Sequence, residues 1–215
     1  MDLAAFFQKY PKVAIAFSGG VDSAYLLYAA ITYGAEVRAY YVKSAFQPQF
    51  EFDDAKKLSQ FLHADLHILE VDILSDLSIT QNPANRCYYC KKKLFEKILI
   101  AAKTDGFTVL LDGTNASDDS DDRPGMKALS ELHVLSPLRI CGLTKEVIRQ
   151  RSKEAGLFTW NKPAYACLAT RIPTGTPITH AKLEKTEHAE NYLTKLGFSN
   201  FRVRQVEDGA RLQFT

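Results

Sequence analysis

The sequence predicts an α/β fold, a parallel sheet with helices on both faces, followed by a small α+β unit. Three observations carry this. Apolar runs alternate with amphipathic ones along most of the chain, the pattern of strands wound through helices. The first of them, Val13 to Phe17, is continuously apolar, as a strand buried on both faces requires. A glycine-containing turn then joins that run to the next segment, placing it at the carboxyl edge of the sheet, where open α/β folds bind ligands.

Taken in order, residues 3–9 form a helix and 12–17 the first strand. Helix 22–33 follows, with Asp22 and Ser23 offering N-cap chemistry and Gly34 ending it. Strands 36–42, 66–71, 108–112 and 133–135 alternate with helices 51–63, 84–104 and 145–155. The prolines and glycine of "RIPTGTPIT", residues 171–179, read as a linker. That places one domain at 1–172 and a second at 173–215. In the second, a helix from Ala181 to Leu196 is closed by Gly197, and "NFRVRQV" and "ARLQFT" read as strands. One helix and two strands bury little core alone, so the chain is expected to stop inside this second domain.

At 215 residues the chain can bury a sizeable core. A net charge of +2 leaves no electrostatic footprint for nucleic acid. The Lys91-Lys92-Lys93 run reads as an exposed helix face. The start "MDLAAFFQKYPK" lacks a basic leader with a long apolar run, and no apolar stretch approaches the ~20 residues of a membrane span. Four cysteines without a secretion signal predict a cytoplasmic, reducing location and thiol chemistry rather than disulfides.

The junction Ser18-Gly19-Gly20-Val21-Asp22-Ser23 carries the functional reading. Glycines between strand and helix let backbone N–H groups converge at a helix N-terminus, where the dipole favours an anion. No lysine follows the glycines, so this is neither GxxxxGK[ST] nor GxGxxG. It matches SGGxDS and so resembles the PP-loop ATP pyrophosphatases, of the adenine nucleotide α-hydrolase-like fold. That resemblance implies cleavage between the α- and β-phosphates of ATP. Residues Ala16, Phe17, Ser18, Gly19, Gly20, Val21, Asp22 and Ser23 are expected to bind ATP, with Gly113 and Thr114 beside the phosphates. Asp22 is the carboxylate placed to meet Mg2+. Asp118, Asp119, Asp121 and Asp122 read as a solvated loop.

Cys87 and Cys90 lie at i and i+3 near a helix start, which puts both thiols on one face and favours thiolates. Cys167 follows far off, in "KPAYACLATRIP". Three thiolates at the mouth of an ATP site can hold three irons of a 4Fe–4S cluster. Packed thiols, a redox CxxC and zinc are the alternatives, although structural zinc usually wants four ligands. No histidine stands near either segment; His63, His67, His133, His180 and His188 read as surface or core residues, and Cys141 as a packed thiol.

With "NPANRCYYCK", "LDGTNASDD", "DDRPGMKAL", "LSPLR…LTKEVIR" and "KPAYACLATRIPTG" in family order, the chain resembles the LarE family of ATP-dependent sulfur transferases. The resemblance implies adenylation of a carboxylate of a pyridinium biscarboxylic acid mononucleotide, a precursor of the nickel-pincer cofactor. Sulfur then replaces AMP to give a thiocarboxylate. In one branch of the family a single cysteine, here Cys167, is consumed. In another, three cysteines hold a 4Fe–4S cluster carrying extra sulfide, and Cys87, Cys90 and Cys167 match that branch. Arg202 and Arg204 match the family's substrate-binding pair, alternating on a strand so that they share a face; Arg171 is a further candidate. The resemblance also implies a homo-oligomer and a sulfide or other sulfur donor as partner. The remaining alternatives are a tRNA thiolase, an amidotransferase-type synthetase, and a nucleotide-binding sensor without catalysis.

Overall fold

The computed structural model describes residues 1–118 and 123–214. Its sheet has four parallel strands: β1 (Lys12–Ala16), β2 (Glu36–Lys43), β3 (Asp65–Glu70) and β4 (Leu110–Leu111), in the order β3-β2-β1-β4. The predicted strand at 133–135 shrinks to one bridge between Leu111 and Leu135. His133 turns at φ 55° and a short helix begins at Pro137, so one residue is left to pair.

Alternate side chains of β1 enter different cores, as a sheet covered on both faces requires. Val13 and Ile15 pack with α1 (Leu3–Lys9), α2 (Val21–Thr32), α3 (Gln49–Phe61), α7 (Pro137–Ile140) and α8 (Lys145–Glu154). Ala14 packs on the other face, with α5 (Arg86–Thr104) and α6 (Arg123–Glu131). A third cluster joins Phe46, α4 (Leu77–Thr80) and residues 168–178 to Leu183 of α9 (His180–Lys195).

That third cluster corrects the reading of 171–179 as a linker. Asn82 Nδ2 donates to the carbonyls of Ile172 (3.3 Å), Pro173 (2.7 Å) and Thr176 (3.2 Å). Gly175 N–H returns a bond to the Asn82 carbonyl at 2.8 Å. The segment is a strap held down by Asn82, by the Ile178 N–H bond to the Thr80 carbonyl and by the burial of Ile172 and Ile178. Beyond it, α9 is capped by the Thr179 hydroxyl and carries the antiparallel hairpin β5 (Phe201–Val206) and β6 (Gly209–Phe214). Among the described residues no helix is long and apolar enough to cross a membrane.

Candidate active site

A cavity of about 550 Å³ opens at the carboxyl ends of β1, β2 and β4, where the strand order reverses and doubly wound folds bind ligands. Ala16, Phe17, Ser18, Gly20 to Ser23, Gly113 and Thr114 line it. Gly19, also expected here, lies beneath the loop at φ 73°, and a Cβ on it would come within 3.0 Å of Ala55 Cβ. Gly113 is fixed by a closer approach: its Cβ would stand 2.9 Å from the Ser23 backbone nitrogen.

The expected capping by Asp22 or Ser23 is corrected. The N-cap of α2 is Gly20, and no side chain caps the helix. The Ser23 hydroxyl folds back to donate to the Gly20 carbonyl (3.2 Å) and lies 3.1 Å from the Ser18 hydroxyl. Asp22 points across the cavity, ion-paired with Lys145 at the start of α8 and accepting from Asn115 Nδ2 at 3.4 Å. The helix end is therefore left open, with uncapped N–H groups and a cation nearby, as an anion requires. At the end of β4, buried Asp112 accepts from Thr114 and, at 2.6 Å, from Ser136. Asp118 closes a turn onto the Asn115 N–H at 2.8 Å; Asp119, Asp121 and Asp122 lie outside the described residues.

On the α3 side, Tyr41, Glu51 and Lys162 line the same cavity. The Tyr41 hydroxyl is buried and unpartnered among the described residues. Lys162 stands 2.7 Å from Asp54, an ion pair by distance that lacks hydrogen-bond alignment. Burial pushes the Glu51 carboxyl up to about 7, against the pull of Lys162. Well below pH 4.5 this group is protonated in the folded and unfolded chain alike, so burial costs nothing; from there to about 7 the unfolded chain ionises while the folded chain keeps its proton, and stability is lost across that rise. Glu51→Gln is accordingly expected to raise stability by about 3 kcal/mol near pH 8 and to change it little near pH 4. Urea melts of both proteins at the two pH values check this, and equal shifts at both would contradict it.

Of the three expected thiols, Cys167 reaches the cavity wall. Cys90 packs behind it in the third cluster, and Cys87 is exposed. Burial, then the charges of Cys167 and Cys87, push the Cys90 thiol up to about 12; burial also raises Cys167. The thiols are thus neighbours and none is in a disulfide. They are the ligand type a 4Fe–4S cluster takes, three where it takes four, and among the described residues no group of three or more His, Cys, Asp or Glu side chains stands ready to hold a metal ion. Cys141 is a half-buried thiol at the end of α7, as expected.

The arginines divide. Arg171 is buried, bonding Glu190 through Nε (2.9 Å) and Nη2 (3.2 Å) and the Ala166 carbonyl through Nη1 (2.7 Å). Its donors are turned onto the protein and it does not line the cavity, which corrects its reading as a substrate contact. Arg202 and Arg204 share a face of β5 and do not line the cavity either: Arg204 donates to the Thr170 carbonyl at 2.9 Å, beside the Cys167 turn, and to Gln213 Oε1 at 2.7 Å.

Residues 12–97 match the family described as Queuosine biosynthesis protein QueC, and the phosphate loop lies inside that match. The pyridinium-3,5-bisthiocarboxylic acid mononucleotide synthase of Lactiplantibacillus plantarum is 36% identical over 213 residues, covering 98% of this chain and 77% of that protein. The chain belongs to the LarE family. An uncharacterized protein of Synechocystis is 35% identical over 99% of this chain and 80% of its own length. The tRNA-specific 2-thiouridylase MnmA of Thermotoga petrophila is 27% identical, over 70% of this chain and 54% of that enzyme. In this LarE-family chain, Asp112, Lys145 and Glu51 line the cavity and are residues that the sequence reading did not single out. Lys145 stands inside "LTKEVIR" and Asp112 inside "LDGTNASDD", so both had a signal, whereas Glu51 lies in no such segment.

Proposed function

We propose that the chain is an ATP-dependent sulfur transferase that converts a carboxylate of pyridinium-3,5-biscarboxylic acid mononucleotide to a thiocarboxylate. The observation that carries this is one cavity holding both an uncapped phosphate loop and the Cys167 thiol. Loop N–H groups and Lys145 hold the α-phosphate, and Asp22 meets Mg2+. The substrate carboxylate attacks the α-phosphorus, the bond to the β-phosphate breaks, and pyrophosphate leaves. Adenylation is needed because a carboxylate is a poor electrophile and AMP a good leaving group. A sulfur nucleophile then attacks the acyl carbon and AMP departs with the bonding electrons. Arg202 and Arg204 take the substrate's anionic groups.

For sulfur delivery we propose Cys87, Cys90 and Cys167 as ligands of a 4Fe–4S cluster. When bound, it supplies an iron with an open position for exogenous sulfide. A second reading, sacrifice of Cys167, is favoured by Cys167 being the one thiol of the three in the cavity wall. The acceptor, common to both readings, is tested by incubating the chain anaerobically with ATP, Mg2+, sulfide and either the mononucleotide or unmodified tRNA. Thiocarboxylate is the expected product; 2-thiouridine in tRNA with no thiocarboxylate would overturn the assignment.

A further inference from the structure

Two buried arginines flank the cysteine segment, and they differ in one respect. Arg171 is neutralised by Glu190. Arg86, 8% exposed, is not. Its guanidinium donates through Nη1 to Asn82 Oδ1 (2.8 Å) and the Ala169 carbonyl (2.9 Å), and through Nη2 to Cys87 Sγ (3.5 Å). None of these is a carboxylate, and among the described residues no carboxylate forms an ion pair with it. A buried cation held only by neutral partners is costly unless an anion completes the site. Here the groups around it that can be anionic are sulfur: Cys87 at 3.5 Å, with Cys90 and Cys167 within electrostatic reach.

We infer that Arg86 is the fixed counter-charge for anionic sulfur at the cysteine wall, a positioning residue clamped between the start of α5 and the Cys167 turn. Asn82 does double duty: one end of its amide orients the guanidinium and the other ties down the 172–176 strap. The charge therefore keeps a set place relative to Cys167, three residues of chain away from which the Thr170 carbonyl meets Arg204. Sulfide, a persulfide or a thiolate-bound cluster would each meet the same cation, since all are anionic. The inference rests on the sulfur-transfer reading but does not depend on which sulfur species is used.

The metal-free full chain is alkylated, without ATP or substrate, by anionic iodoacetate or neutral iodoacetamide, and each cysteine is quantified by peptide mass spectrometry. The iodoacetate-to-iodoacetamide ratio at Cys87, referred to the same cysteine in urea, is expected to be raised about fourfold, as a unit charge a few ångströms away in water-like surroundings provides. Arg86→Gln should abolish that rise and leave Cys141 unchanged, and Arg86→Lys should retain most of it. Where added sulfide supports turnover, Arg86→Gln should raise the KM for sulfide while leaving that for ATP at the wild-type value. A wild-type ratio no higher than in urea overturns the inference without any variant, as does a folded Arg86→Gln protein with wild-type ratio and sulfide KM. Failure of the wild-type chain to form thiocarboxylate would instead count against the proposed function, leaving the alkylation result standing.

Discussion

Alanine at Asp22 or at Lys145 is expected to lower mononucleotide-dependent pyrophosphate release by about 10²–10³-fold, the range for removing one preorganised group from a developing charge. The two side chains form an ion pair across the cavity mouth, beside the open end of α2. Either loss leaves the partner charge without its counter-ion at the cavity mouth, by removing the cation in one case and the carboxylate in the other. Folding should change little, because both side chains are part-exposed and such pairs contribute about 0–1 kcal/mol. Pyrophosphate release measured beside a thermal melt separates the two effects. A folded variant with wild-type release would remove the phosphate site from the account.

Single alanine substitutions at Cys87, Cys90 and Cys167 should have the other large effect. If the three thiols act as one ligand set, each substitution abolishes iron retention after anaerobic reconstitution and multiple turnover together. Sacrifice of Cys167 gives a different pattern: Cys87→Ala and Cys90→Ala remain active, and wild-type protein becomes lighter by the mass of hydrogen sulfide at Cys167 after one turnover. Iron analysis with intact-protein mass spectrometry distinguishes them. The raised Cys90 and Cys167 thiols make metal binding proton-releasing, so reconstitution of the cluster should improve as pH rises.

The parts legible in sequence are those with local causes. The continuous run at 13–17 and the two glycines after it suffice to place β1 and an anion site, because backbone geometry sets both. The pairing of Asp22 with Lys145 spans 123 positions, so no periodicity or spacing announces it. Arg171 misleads for the same reason: an arginine after a cysteine segment looks available until Glu190, 19 positions on, folds back to cover it. The 171–179 segment has a linker's composition, yet its carbonyls are gathered by Asn82, about 90 positions earlier. Short helices such as α4 and α7, four residues each, lack the length for a periodic signal.

The most direct measurement is the fate of ATP labelled in its α- and γ-phosphates when the chain meets pyridinium-3,5-biscarboxylic acid mononucleotide. The account predicts AMP and pyrophosphate in equal amounts, formed only with the mononucleotide present, and an acyl-adenylate that accumulates when sulfide is withheld from a Cys167→Ala chain. ADP and orthophosphate as products, or ATP left intact by a folded chain saturated with substrate, would contradict it.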